Sequence, residues 1–278
     1  MVDSSTRSRR RGRVSLPALV VGGAGVVALA FLAAPLVALV WRAWRTGALG
    51  PGVAADDVVL DALRLSGLTT ALALGLAVAF GTPLAWVLAR RAFRGRQLVE
   101  TLVDLPLVLP PVVAGVALLT AFGRRGLLGA ELEALGIALP FTTAAVVVAQ
   151  VFVAAPFYVR SARIGFAAIS REVVEAAAID GADGWRVFRD VTWPLARHGV
   201  LAGAVLCWAR ALSEFGATLL FAGNLQGRTQ TMPLAIMSAF EGDLGEALAL
   251  AVLLLALSAA VLLIARAVVR EDRSDPWR

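Results

Sequence analysis

Six stretches of mainly apolar residues, near 16–41, 66–89, 102–122, 141–159, 199–222 and 245–265, constrain this chain more than any other feature. A helix needs roughly 20 such residues to cross the hydrocarbon core of a bilayer, where each backbone amide must find its partner within the segment. A soluble domain of 278 residues does not carry 59% hydrophobic and only 17% charged residues. The expected fold is an all-α membrane protein with six transmembrane helices.

The basic side of the +6 formal charge is carried by arginine alone, because lysine is absent. A Walker A loop needs its lysine on the β and γ phosphates, and a Schiff base needs a lysine amine, so neither chemistry belongs to this chain. The arginines also set an orientation, since basic residues near span ends stay on the cytoplasmic side. Arg7, Arg9, Arg10, Arg11 and Arg13 precede the first stretch; Arg90, Arg91, Arg94 and Arg96 join the second to the third; Arg160 to Arg197 join the fourth to the fifth; Arg266 onward closes the chain. The opposite loops hold Arg42, Arg45, Arg64, Arg124, Arg125 and Arg228, offset by Asp56, Asp57, Asp61, Glu131 and Glu133. Both termini are therefore expected in the cytoplasm.

The domain reading is a cytoplasmic arginine-rich tail over 1–15, a transmembrane domain over 16–269 with a long cytoplasmic loop at 170–197, and a second tail over 270–278. A secretory signal is a weaker reading of the N-terminus, although Ser8-Arg9-Arg10 resembles a twin-arginine signal. The apolar run is longer than a signal core, and five further stretches follow it. The lone cysteine, Cys207, allows no internal disulfide. Asp56, Asp57 and Asp61 form an acidic patch that can open a short amphipathic helix after the Gly47 to Gly52 connector. Asp104, Pro106, Pro110, Pro111 and Gly115 mark the third stretch as one packed inside the bundle, where neighbours satisfy freed carbonyls. Helix kinking and a gate stand as equal readings of these prolines.

The loop from Ser170 to Pro194 is polar without being of low complexity. Alanines and Val173, Ala176, Ala177 and Ile179 predict a helix that Gly181 stops in a left-handed conformation. Asp183 then caps a second short helix carrying Trp185, Phe188 and Val191, with Pro194 expected to end it. Aromatic residues amid Arg186, Arg189 and Asp190 have the composition of an interface anchor, and an amphipathic helix lying on lipid fits them equally well.

Two further features lie at or beyond the fifth stretch. Arg210 and Glu214, four residues apart, share one helical face, and charges at membrane depth are paired or face water. A buried structural pair is the favoured reading over a gate. Asn224, Gln226, Arg228, Thr229, Gln230 and Thr231 supply donors suited to a hydrated oxyanion or a docked protein, with Thr218 deeper along the same path. The residues alone favour a solvated loop.

Resemblance to a known family shifts these weights. Glu175-Ala176-Ala177, three residues, Gly181-Ala182 and a hydrophobic stretch ending at Pro194 resemble the EAA loop of ATP-binding-cassette importer permeases. The run from Ala209 to Ile236, with Phe221 to Asn224 and Gly227 to Thr231 within it, resembles molybdate importer permeases, as does Leu105 to Gly115. Sulfate and thiosulfate permeases share the loop and Glu214-Phe215-Gly216 and are the alternative. Ser213, where many relatives carry glycine, is a minor departure.

The resemblance implies the type I importer permease architecture in a bacterial cytoplasmic membrane, importing molybdate or tungstate. Glu175, Ala176, Ala177, Gly181, Ala182, Asp183, Trp185 and Phe188 would couple to an ATPase. Pro110, Pro111, Arg210, Glu214, Thr218, Asn224, Arg228, Thr229, Gln230 and Thr231 would line a path or gate. It implies a second permease copy, two ATP-binding-cassette subunits holding ATP and Mg, and an extracytoplasmic binding protein. No cofactor, metal or nucleic acid is expected on this chain, and no catalysis.

Two rival classes remain on the residues. An ion-coupled secondary transporter needs intramembrane carboxylates, and only Glu214 lies deep in a stretch. An intramembrane enzyme fares worse: His198 is the single histidine, no G-x-S-x-G occurs and no His/Cys cluster offers a metal site.

Overall fold

The computed structural model describes residues 16–50 and 57–271, with side-chain environments over 21–50 and 57–264. Among these residues there is no strand, only helices. In chain order they are α1 (Leu16–Arg45), α2 (Asp57–Arg90), α3 (Arg96–Val108), α4 (Pro111–Phe122), α5 (Gly129–Ala134) and α6 (Thr143–Ala167). Then come α7 (Arg171–Ile179), α8 (Gly184–Arg186), a π-helical segment (Val187–Thr192), α9 (Trp193–Leu212), α10 (Gly216–Ala222), α11 (Met232–Gly242) and α12 (Leu244–Glu271). The expected tail over 1–15, residues 272–278, and Pro51, Gly52 and Asp56 lie outside the described residues.

The bundle is built around α6, which packs along α2 and α9. Small residues make this possible, as in helices that lack a hydrophobic drive toward one another and associate through close backbone contact. A Cβ on Gly199 would sit 2.6 Å from the Cα of Gly165, so α6 and α9 touch backbone to backbone there. Polar side chains are spent across these seams. The Thr82 hydroxyl and the Tyr158 phenol lie 2.6 Å apart, the Trp208 indole donates to Thr70, and the Ser161 hydroxyl donates to the Gly199 carbonyl. A second core joins α4, α6 and α10, and a third joins α2, α11 and α12. Among the described residues α1 meets chiefly α12, and its side chains from Val21 onward are almost all exposed.

Among the described residues four helices, α1, α2, α6 and α12, are long and apolar enough to cross a membrane, and the bent pair ending in α9 and α10 is a fifth when taken as one span. The acidic residues Asp57 and Asp61 open α2 itself and form no separate helix. The third apolar stretch, expected as one helix, is split between α3 and α4. A residue before proline is pushed out of the α region. With Pro110 and Pro111 in tandem, Leu109 and Pro110 both turn extended, at ψ 133° and 137°, and Pro111 starts α4 in the first-turn position that tolerates a missing N–H. The expectation that this stretch is enclosed by the bundle is also corrected. α3 has no buried residue, and α4 buries Ala114, Gly115 and Leu118 while Val108, Val112 and Val116 face outward.

Candidate functional site

The segment 170–194 folds as a helix, a tight turn and a second helix. Ser170 caps α7 by accepting the Val173 N–H. At its other end the Gly181 N–H donates to the Ala178 carbonyl and the Ala182 N–H to the Ala177 carbonyl, the paired bonds of a Schellman stop. That stop needs a left-handed residue, and Gly181 supplies it at φ +88° with nothing near its α-carbon. The turn is therefore defined by backbone conformation and not by crowding. Asp183 Oδ1 accepts the Arg186 N–H at 2.8 Å and starts the next helix, as expected.

Pro194 does not end that helix. The chain runs on through the π-helical segment into α9, with Pro194 in the first turn of α9. The Trp193 N–H bonds to the Phe188 carbonyl, one residue further back than in an α-helix, and this register shift lets proline enter without losing a partner it would otherwise need. The lever is thus continuous with a membrane helix. Phe188 anchors it, packing edge-on against Trp86 of α2 and close to Trp185 and Trp193. Trp185 is 67% exposed, so the lever presents a large aromatic that stacks on Phe188 and is otherwise left mostly open by the described residues. Glu175 and Ala176 are exposed as well, with Ala177 and Ala182 half-buried.

Beside the lever, Glu100 of α3 accepts from Arg96 at 2.9 Å and meets Arg163 of α6 at 2.6 Å. The Arg96 hydrogen bond, and Arg163 after it, hold the Glu100 carboxyl below its ordinary value against the opposing effect of desolvation. At the lever tip Arg189 does the same for Asp190.

The fifth stretch bends by 59° between α9 and α10. Arg210 and Glu214 do pair, with Nη2 2.7 Å from Oε2, but Glu214 lies in the break and not on the helix. The reason is local: Glu214 Oε1 accepts the Ala217 N–H at 2.8 Å, so the carboxylate caps α10 instead of continuing α9. Oε2 has no aligned hydrogen-bond donor, which makes the contact with Arg210 an ion pair without directed N–H geometry. This break abuts the other one. A Cβ on Gly216 would lie 2.8 Å from the Cβ of Pro111, and one on Gly115 would lie 2.8 Å from the Cβ of Leu220. Two interrupted helices therefore meet at Pro111 and Gly216, next to a buried carboxylate.

The stretch from Asn224 to Thr231 is not the solvated loop favoured from the residues alone. Thr229, Gln230 and Thr231 are buried, while Gln226 and Arg228 remain exposed. The Thr229 hydroxyl accepts the Leu225 N–H, Asn224 and Gln230 donate to the Ser238 hydroxyl, and the Arg228 carbonyl accepts from Thr143 at the start of α6. The Met232 N–H donates to Ser66 of α2. Thr218 and Thr231 keep buried hydroxyls without a partner. Pro110, Pro111, Arg210, Glu214 and Thr218 thus gather at the helix breaks, and Asn224 to Thr231 form a knot at the end of the bundle opposite the lever. Sequence reasoning missed Ser66, Thr143, Ser238 and Trp86, which hold these parts in place. Single serines and threonines in apolar runs carry no spacing signal, and α11 falls between the fifth and sixth apolar stretches.

These features define a membrane helix bundle with broken helices at its centre and a rigid aromatic lever at one end. The model of the family described as "Binding-protein-dependent transport system inner membrane component" matches residues 81–273. The chain is 46% identical over 252 residues to the molybdenum transport system permease protein ModB of Mycobacterium bovis, covering 90% of this chain and 91% of that one. It is 38% identical to the ModB protein of Escherichia coli K12, over 80% of this chain and 98% of its relative. Among solved structures it is similar to a bacterial ABC transporter that imports alginate, with TM-score 0.72 at 16% identity over 92% of this chain and 95% of that one. The MetNI methionine ABC transporter aligns with TM-score 0.56 at 16% identity, over 77% of this chain and 94% of that one. The chain belongs to the family of binding-protein-dependent transport system inner-membrane components, and it has the ABC-importer permease fold of a multi-pass protein in the cytoplasmic membrane.

Proposed function

We propose that this chain is the permease subunit of an ATP-driven molybdate importer, with tungstate as a companion substrate. The observation that carries the cargo is the similarity to molybdenum permeases along nearly the whole chain. The mechanism rests on the lever. A second copy of the chain pairs with the first, two ATPase subunits holding ATP and Mg dock from the cytoplasm, and an extracytoplasmic binding protein delivers the anion. Six crossings, the third of them residues 102–122 at the junction of α3 and α4, leave both termini and the 170–197 loop in the cytoplasm.

Glu175, Ala176, Ala177, Gly181, Ala182, Asp183, Trp185 and Phe188 form the coupling element. Trp185 seats in the ATPase, and Phe188 fastens the lever to Trp86. Because the lever runs without interruption into α9, displacement by the closing ATPase dimer reaches Arg210 and the break before α10 through one continuous helix. Motion there repacks Pro111 against Gly216, and Pro110, Glu214 and Thr218 line the gate. Asn224, Arg228, Thr229, Gln230 and Thr231 form the outer mouth.

Reconstitution with the cognate ATPase and binding protein tests this, with molybdate, tungstate and sulfate competing for ATP-dependent uptake. Preferential uptake of molybdate and tungstate is expected. Preferential sulfate uptake would overturn the cargo and leave the mechanism. Vanadate-insensitive uptake driven by an ion gradient would overturn the mechanism.

A further inference from the structure

A cavity of about 560 Å³ opens between the end of α2 and the lever. Its walls carry Arg90 and Arg91 of α2, Arg171 and Glu175 of α7, and the rings of Trp86 and Phe188. Three guanidinium groups and one carboxylate leave it with an excess of two positive charges. Among the described residues none of the three arginines forms an ion pair across it: Arg91 rests 5.9 Å from the centre of the Trp86 ring, and one terminal nitrogen of Arg90 is buried without a hydrogen-bond partner. An unpaired, partly desolvated guanidinium is costly, and like charges facing one space add to that cost. Arg96 and Arg163 at Glu100, Arg189 at Asp190 and Arg210 at Glu214 each have the carboxylate partner that Arg90 lacks. A guanidinium fork matches the oxygens of a carboxylate or of a phosphate-like group, and several guanidiniums facing one space suit the group that offers more oxygens and more charge.

We propose that this cavity binds a tetrahedral oxyanion, held by Arg90 and Arg171 with Arg91 at its rim. The inference does not depend on the cargo proposed above, since binding is read on the permease alone. Two sources present the same chemistry, a free inorganic anion and the phosphate of an anionic lipid headgroup. An anion here ties the end of α2 to the base of the lever and stiffens the joint across which coupling passes.

The full chain, purified in an uncharged detergent, is melted over a titration of inorganic phosphate, with sodium chloride at equal ionic strength as the reference. In parallel it is melted in phosphatidylcholine nanodiscs with and without phosphatidylglycerol. A saturable rise in Tm with phosphate assigns a free anion; a rise with phosphatidylglycerol alone assigns a headgroup. In either case Arg90→Gln and Arg171→Gln are each expected to weaken the response about ten-fold. Arg171 is exposed, so its variant folds even if Arg90→Gln does not. Arg171→Glu puts a carboxylate beside Arg90, and is expected to melt higher without ligand and to lose the response. The proposal fails if chloride matches phosphate and neither lipid matters, or if the arginine variants respond as the parent does. It also fails if the bound ATPase subunit abolishes the response, which would give the cavity to a carboxylate of that partner.

Discussion

The lever at 170–194 and the knot at 223–231 are both polar interruptions of an apolar chain, and they have opposite fates. The lever turns Trp185 and Glu175 outward and is held by a few internal bonds and one aromatic anchor. The knot turns Thr229, Gln230 and Thr231 inward, and its segment is tied to α6 by the Arg228 carbonyl on Thr143, to α11 by Gln230 on Ser238 and to α2 by the following Met232 N–H on Ser66. Polarity therefore does not decide exposure. What favours burial is the hydrogen-bond partners that neighbouring elements bring within reach, because a buried polar group without one costs about 1–3 kcal/mol; the knot keeps two such groups, Asn224 Oδ1 and the Thr231 hydroxyl. On the proposed function the lever transmits force, while the knot's bonds hold helix ends together.

If the contrast is real, damage to the lever should remove function and spare stability, and damage to the knot should do the reverse. The largest effect is expected from Gly181→Val, which puts a β-branched residue at φ +88°. The left-handed conformation costs such a residue about 1–2 kcal/mol, so the Schellman stop is lost while the bundle stays inserted. Transport should vanish and ATP hydrolysis should run uncoupled, as measured by uptake and phosphate release in proteoliposomes. Gly181→Asn, which tolerates that conformation, should keep part of both; normal transport by the valine variant would break the comparison.

Trp185→Ala comes next. An exposed anchor contributes to binding and little to folding, so Tm should move by no more than about 0.5 kcal/mol equivalent. Affinity for the ATPase subunit in a pull-down titration should fall about 30-fold, the size expected of an interface hot spot.

Ser66→Ala tests the other end. It strands the buried Met232 N–H, at an expected cost of about 1–3 kcal/mol in thermal unfolding, while coupling of the surviving protein is unchanged. A coupling defect at full stability would show that the knot moves with the gate.

The smallest effect belongs to Glu100. Its carboxyl is held below the ordinary 4.5 by Arg96 and Arg163, so its stabilisation is present above that value and lost as pH falls through the depressed one. Melting from about pH 7 to about pH 3 should show an acid slope that Glu100→Gln reduces.

Much of this was legible in the residues. The Schellman stop at Gly181, the cap at Asp183 and the pairing of Arg210 with Glu214 each depend on side chains within a few positions of one another. The break at Leu109 and Pro110 was legible in principle from the tandem prolines, and was read as a feature of one helix. The passage of Pro194 into α9 was not legible, because a π-helical register shift has no composition of its own. Nor was the meeting of Pro111 with Gly216, which joins positions more than a hundred residues apart.

The sequence by itself determined a helical membrane chain and the local stops and caps of the lever. Those properties follow from transfer energies and short-range hydrogen bonds, which act within a segment. Tertiary structure alone decided which polar residues are buried, where two broken helices touch and which arginines share a cavity. These depend on which backbones approach closely enough to exclude solvent, and that distance is set only when α2, α6 and α9 pack.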